Sequence, residues 1–306
     1  MQEPNLQYLT VGGPAAKTGA PRRMAYWDWA CTSGQTDHIV VCVHGLSRQG
    51  RDFDTLARTL SERARVIAVD VAGRGESDWL ADPMAYQLPN YATDLAALLM
   101  HLRAQAPSAA IDWVGTSMGG LIGMAIAAQP ALAPRRLVLN DVGPVVQWEA
   151  LQRIAQYLGL NPSFESEQAA IDYLASISTG FGPHTPEQWR ALSAPLLRER
   201  DGRWWLHYDP AIALPVKALV SMDDQAAAKQ TARDGEAMLW QLYDAITART
   251  LLLRGQQSDL LSEATAEAMG RRGPKARCVV FAGVGHAPTL VADDQVHAIR
   301  DFLWSD

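Results

Sequence analysis

Residues 110–129 read AIDWVGTSMGGLIGMAIAAQ. The run Ile111–Thr116, IDWVGT, is mainly apolar and ends at a glycine turn, which predicts a buried strand. Met118–Gln129 is rich in Ala, Ile and Met, which predicts a helix. Between them stands Gly115-Thr116-Ser117-Met118-Gly119. A five-residue G-x-S-x-G pattern recurs by chance, but its position between a buried strand and a helix is specific. That turn forces a strained backbone on the serine, and side chains at positions 115 and 119 would collide across it. The strain places the Ser117 Oγ above the sheet at the positive end of the following helix.

Outward from this stretch, short β-branched runs alternate with amphipathic Ala/Leu-rich segments. That alternation predicts a mostly parallel sheet wrapped by helices. The strand runs are His38-IVVCVHG, Arg65-VIAVD, Ala110-IDWVGT, Arg136-LVLND, Thr250-LLLRG and Arg277-CVVFAG. Leu6–Val11 and Met24–Ala30 read as an antiparallel edge before the parallel part begins. Helices are expected over Asp52–Glu62, Tyr91–Gln105, Met118–Gln129 and Pro288–Leu303, where apolar residues recur at helical spacing. The alternation is interrupted once, between about Pro144 and Arg233. Only helical segments are visible there, separated by Gly/Pro clusters such as Thr179-GFGPHTP. About 90 residues is too long for a loop. The expected division is therefore a core of residues 1–143 and 234–306, with a helical cap of residues 144–233 inserted after the sixth strand. Trp148, Tyr157, Phe164, Tyr173, Trp189, Trp204 and Trp205 are expected to form mainly that insertion's own core, a minority lining a pocket.

The chain has 306 residues, 48% of them hydrophobic and 20% charged, which excludes intrinsic disorder. Lys+Arg of 27 against Asp+Glu of 33 gives a net charge of −6, with arginines in scattered pairs, so no nucleic-acid partner is expected. Three cysteines, Cys31, Cys42 and Cys278, cannot build a disulfide framework, and two lie in strand-like runs where Cys is usually buried. The N-terminal stretch MQEPNLQYLTVGG lacks the apolar core of a secretory signal. A cytoplasmic location is the resulting expectation. The 22 uncharged residues between Asp112 and Arg135 could in principle span a bilayer. Their polar residues, prolines and glycines favour a buried core segment instead, and no membrane partner is expected.

A serine hydroxyl needs a base to take its proton. His286, in Phe281-AGVGHAP, lies between the last strand and the last helix. A carboxylate must hold the histidine in one tautomer. Asp259, in Leu253-RGQQSDLL, lies just past the preceding strand, and Asp141, at the end of Arg136-LVLND, is its rival. The Val-Gly-Pro after Asp141 reads as an exit into the cap, which favours Asp259. On that assignment Asp259→Asn costs several orders of magnitude in turnover and Asp141→Asn much less. Acyl transfer builds charge on a carbonyl oxygen, and backbone N–H donors stabilise it. The expected donors are the amides of Met118 and of Leu46, in His44-Gly45-Leu46-Ser47. His44 is expected to order this loop by hydrogen bonding. The seven histidines show no metal-ligand spacing, and Gly73-Arg-Gly75-Glu-Ser77 is no phosphate loop, so neither metal nor cofactor is expected.

Through VCVHGLS, VDVAGRGESD, VGTSMGGLIG, LLLRGQQSDLL and AGVGHAP, the chain resembles the serine members of the α/β-hydrolase superfamily that carry a helical cap. The resemblance runs from about Leu6 to Leu303. It implies a carboxylesterase-like site with Ser117 as nucleophile, Asp259 as acid and His286 as base. The implied substrate is a small ester with an apolar part, entering beneath a cap lined by Trp, Leu and Met. Two alternatives keep the same residues. One is hydrolysis of a carbon–carbon bond beside a ketone, which an arginine projecting into the pocket would favour, Arg190 and Arg254 being possible sources. The other is a ligand receptor with little turnover.

Overall fold

The computed structural model describes residues 2–12, 20–34 and 37–305. The outermost residues of the expected core range, 1 and 306, lie outside the described residues. In chain order the elements begin with β1 (Asn5–Val11), β2 (Arg22–Trp29), β3 (His38–Val43), α1 (Asp54–Leu60), β4 (Arg65–Val69), α2 (Leu88–Gln105) and β5 (Ala110–Thr116). They continue with α3 (Met118–Ala127), β6 (Arg136–Asn140), α4 (Trp148–Tyr157), β7 (Ser163–Phe164), α5 (Glu167–Ile177) and α6 (Pro186–Ser193). Then follow β8 (Leu197–Arg200), β9 (Arg203–Leu206), α7 (Leu214–Val220) and α8 (Gln225–Asp244). The chain closes with β10 (Arg249–Gly255), α9 (Glu263–Arg271), β11 (Arg277–Phe281) and α10 (Asp293–Trp304).

The main sheet has the strand order β1-β2-β4-β3-β5-β6-β10-β11. From β4 through β11 neighbouring strands are parallel, while β1 pairs antiparallel with β2, and β2 with β4. Alternation along each strand feeds two separate cores, as a period of two requires. Val41 and Val43 of β3 join Ile67, Trp113 and Leu139 on one face, against Leu95, Leu98 and Leu102 of α2 and Ile122 of α3. Val40 and Cys42 join Val66, Val114, Val138 and Leu251 on the other, against Leu56 and Leu60 of α1 and Ile299 and Phe302 of α10. This is the α/β-hydrolase arrangement, a mostly parallel sheet with helices on both faces. The uncharged run between Asp112 and Arg135 supplies β5 and α3 to it, and no helix of the described residues is long and apolar enough to cross a membrane. Cys42 is fully buried, and burial pushes its thiol pKa far up; Cys278 is exposed, because β11 is the last strand of the sheet and has one uncovered side.

Between β6 and β10 the chain is not purely helical. A three-stranded antiparallel sheet, β7-β9-β8, packs beside α5 and α6. Its β8–β9 hairpin turns through Asp201-Gly202, both at positive φ (53° and 70°), the backbone a two-residue hairpin needs. The Asp-Gly pair was the available signal. The strands are so short, and so charged in Arg198-Glu-Arg200, that alternation does not reveal them. The expected boundary at 233/234 falls inside α8, a single 20-residue helix. Its sequence carries no proline and one glycine, so nothing breaks it there.

β4 delivers Asp70, fully buried, which accepts hydrogen bonds from the amides of Gly50 (2.7 Å) and Glu76 (2.9 Å) and from Trp27 Nε1 (3.2 Å). Burial raises its pKa to about 6, against the opposing pull of those donors. A folded pKa above the unfolded one means that protonation favours the fold. The Asp70 contribution is therefore fully present below about pH 4 and is lost as pH rises through about 6. Urea unfolding between pH 4 and 7 is expected to show this loss, and Asp70→Asn to flatten it. A carboxyl-carbon NMR titration with a midpoint near 4 would contradict it.

Candidate active site

The residues of the site stand at the C-terminal ends of the parallel strands. Strand order reverses between β3 and β5, with β4 on one side of β3 and β5 on the other, so the loops after these two strands part and leave a crevice. Ser117 caps α3 at φ 52° and ψ −117°, a conformation that non-glycine residues adopt only when their surroundings enforce it. Two close approaches enforce it here. A Cβ on Gly119 would run into the Val43 carbonyl of β3, and a Cβ on Gly115 into the Gly119 carbonyl. Gly119→Ala is therefore expected to destabilise the protein by about 3 kcal/mol or more, read as a lowered urea midpoint.

The imidazole of His286 has Nε2 2.9 Å from Ser117 Oγ and Nδ1 2.7 Å from Asp141 Oδ2. Asp141 is fully buried, while the His286 side chain is 21% exposed, so the carboxylate is shielded and the ring reaches the cavity. Asp141 Oδ1 accepts the Gly255 amide (2.8 Å) and its Oδ2 accepts the Ser258 hydroxyl (2.6 Å). With these donors and the Nδ1–H, the carboxylate is satisfied and the imidazole is fixed with its unprotonated Nε2 toward the serine.

This corrects the expected acid. Asp259 does not contact His286; its carboxylate is 55% exposed and pairs with Arg153 Nη1 at 2.6 Å. The end of β10 and the loop after it contribute Gly255 and Ser258 as donors to Asp141 instead of contributing the acid. Asp141 itself sits at φ 56°, a left-handed conformation that Asp tolerates, and its amide donates to Leu253 O of β10 (2.8 Å). The chain does leave for the insertion after this residue, as the Val-Gly-Pro suggests, but only after the side chain has turned to the histidine.

Asn140, one residue earlier, was not anticipated. Fully buried, it donates through Nδ2 to Thr116 Oγ1 (3.0 Å) and to Pro288 O (2.8 Å), while its carbonyl accepts the Ser117 amide (3.0 Å). It thus ties the serine turn to the histidine loop.

Near the loop after β3, His44 is buried, with Nδ1 2.6 Å from Gly45 O and Nε2 3.0 Å from the Val71 amide. Nδ1–H donates and Nε2 accepts, so the ring is neutral. Burial lowers its pKa to about 3, and the charges of Arg74 and Arg48 add to this. Arg74 is 1% exposed and donates to Leu46 O (2.8 Å), Ala72 O (2.7 Å) and Tyr91 Oη (2.9 Å), with Nη2 3.7 Å from Met118 Sδ. Tyr86 and Tyr91 rings lie 5.7 and 5.1 Å from the guanidinium carbon. One buried cation therefore touches both residues whose amides were expected to face a developing oxyanion. Among the described hydrogen bonds of loops and caps, neither the Leu46 nor the Met118 amide has a backbone acceptor.

Ser117 and His286 open onto a cavity of about 570 Å³, within the usual range for small-molecule sites. The apolar part of its wall is mainly leucine, isoleucine and tyrosine, among them Ile154, Tyr157, Leu158, Leu174 and Leu206. The expected tryptophans and methionines do not line it. Trp189 and Trp204 pack against Ile171, Leu174 and Leu196 in the insertion's own cluster, where their larger area is buried. Nor do Arg190 and Arg254, the arginines named as possible sources of a pocket cation. Arg190 pairs with Glu167, and Arg254 donates to Leu261 O. The guanidinium groups on the cavity wall are Arg48 and Arg153.

A model of the Alpha/beta hydrolase family matches residues 40–299. Over 304 residues, 98% of each chain, the protein is 43% identical to the 3-hydroxybutyrate-oligomer hydrolase of Cupriavidus necator. It is 30% identical over 267 residues, 87% of each chain, to the 2-(acetamidomethylene)succinate hydrolase of Mesorhizobium japonicum. Among solved structures, an alpha/beta hydrolase from Novosphingobium aromaticivorans matches with a TM-score of 0.80 at 34% identity, covering 99% of each chain.

Proposed function

The chain belongs to the alpha/beta hydrolase family and is a hydrolase, and from that premise we propose that it cleaves the ester bonds of short linear 3-hydroxyacid oligomers through an acyl-enzyme on Ser117. The observation that carries this reading is the hydrogen-bonded series Ser117–His286–Asp141 at the floor of a largely apolar cavity. The substrate class rests on the full-length similarity to the 3-hydroxybutyrate-oligomer hydrolase.

In this mechanism Ser117 Oγ attacks the ester carbonyl while its proton passes to His286 Nε2. The Nδ1–H bond to Asp141 stabilises the imidazolium without becoming a proton transfer. The carbonyl oxygen, now negative, is met by the Leu46 and Met118 amides. His286 then returns the proton to the departing hydroxyacid alkoxide, leaving an acyl ester on Ser117. Water, deprotonated by the same nitrogen, cleaves that ester and restores the serine. The segment between β6 and β10 acts as the cap that keeps bulk water from the acyl group.

The direct test is incubation with synthetic 3-hydroxybutyrate dimer and trimer, products resolved by chromatography, with p-nitrophenyl butyrate run in parallel. Steady release of monomer is expected. Turnover of the p-nitrophenyl ester with no attack on either oligomer would overturn the substrate class and leave a simple carboxylesterase.

Arg74 acts in this scheme as a positioning residue, since fixing the Leu46 carbonyl sets the orientation of the loop that presents the Leu46 amide. Arg74→Met is expected to lower kcat by about 10- to 100-fold while KM changes little, with Arg74→Lys in between. A parallel rise in KM, or a loss explained by a lower melting temperature, would mark the arginine as structural only.

A further inference from the structure

The cavity wall carries two arginines in different circumstances. Arg48 is held at several points: its Nη2 donates to Asp52 Oδ1 (2.7 Å) and to Leu192 O (2.8 Å), its Nε bonds Asp52, and its guanidinium carbon lies 5.6 Å from the Phe181 ring centre. Arg153, on α4, pairs with a single carboxylate, that of Asp259 on the loop after β10, and both line the cavity. Both members of that pair are about half exposed, 45% and 55%. They therefore stand at the solvent-facing part of the cavity, with Tyr157 one helical turn beyond Arg153 on the same wall. A half-exposed ion pair contributes little net stability, so another carboxylate can take the place of Asp259 at small cost.

We propose that Arg153 is the subsite for the free carboxylate end of the substrate, with Asp259 as the resident stand-in that yields to it. The proposal rests on the oligomer reading given above. A linear hydroxyacid oligomer has neutral ester links along its length and a single charge, at its acid end. The walls around Ser117 suit the neutral part, and Arg153 suits the end. A guanidinium receives a carboxylate through two parallel N–H donors, which fixes orientation as well as position. Anchoring that end sets which ester lies at Ser117, and it separates acid-terminated oligomers from neutral esters of the same size.

The test compares the 3-hydroxybutyrate trimer as its free acid with the same trimer capped as a primary amide, in the intact protein. Wild type is expected to favour the acid, and Arg153→Gln to reduce the acid-to-amide ratio of kcat/KM by about tenfold, the worth of one charged hydrogen-bonded contact. Taking the ratio within each variant removes any general loss of activity or folding. Asp259→Asn is the second variant: without the competing carboxylate, KM for the acid is expected to fall while KM for the amide does not. Equal rates for acid and amide in wild type overturn the subsite, as does an unchanged ratio in Arg153→Gln. Failure of both trimers beside normal turnover of p-nitrophenyl butyrate overturns the oligomer reading itself, and the subsite with it.

Discussion

Asp141→Asn is expected to lower kcat on p-nitrophenyl butyrate by about 10⁴-fold, the loss seen where an amide replaces the carboxylate behind a catalytic histidine. The reason is the tautomer. Asp141 accepts from His286 Nδ1 at 2.7 Å, and its other contacts are also donors, Gly255 N–H and Ser258 O–H. An asparagine Oδ1 can satisfy one side of this arrangement, but its NH₂ then faces a donor. The histidine is driven to turn its lone pair toward position 141 and its proton toward Ser117, which leaves no base for the nucleophile. The loss at Asp259→Asn is expected to be smaller by orders of magnitude, because that carboxylate meets Arg153 and not the imidazole. Steady-state kinetics of the two variants side by side decides the matter, and the reverse ranking would restore Asp259 as the acid.

Ser117→Ala is expected to lower kcat by about 10⁶-fold, comparable to removing all three residues of such a unit together. Ser117 Oγ is the atom that forms the acyl bond, and it is the group 2.9 Å from His286 Nε2 that gives up its proton in that step. Alanine also fits the strained position no worse than serine, so the melting temperature should hold while ester hydrolysis ends. Labelling with a fluorophosphonate gives an independent reading: wild type is expected to incorporate the reagent and the alanine variant to remain unlabelled. Full activity in the variant would remove the acyl-enzyme scheme altogether.

Much of the molecule could be read directly from the chain. The six parallel strands lie where continuous apolar runs predicted them, and the alternation of Val40, Val41, Cys42 and Val43 between two cores follows from the period of a strand. The turn that carries Ser117 and the loop that carries His286 are local features of the sequence, a glycine-flanked turn after a buried strand and a histidine after the last strand, and the fold sets the two side chains 2.9 Å apart. The small sheet of the insertion could not be read from alternation, since β7 is two residues long and the outer strands are charged. Arg74 was visible only as part of a glycine-rich loop. Its contacts need the Leu46 carbonyl and the Tyr91 hydroxyl brought from separate segments to join the Ala72 carbonyl of its own loop.

The acid marks the division. Sequence alone pointed to a carboxylate at the C-terminal edge of the sheet beside the histidine, and it favoured Asp259 after β10 over Asp141 after β6, because the Val-Gly-Pro that follows Asp141 reads as an exit into the cap. Asp141 directly follows β6 and Asp259 stands four residues past the end of β10, but β6 and β10 are neighbours, so chain order does not separate them. Tertiary structure chose. The left-handed backbone at Asp141 turns its carboxylate inward beneath the β10 loop, where the Gly255 amide and the Ser258 hydroxyl receive it away from water. Four residues past Gly255, Asp259 is turned outward to Arg153 of the insertion. A buried carboxylate persists only where enough donors converge on it. Convergence of three separate segments is a property of the folded chain and not of any stretch of its sequence.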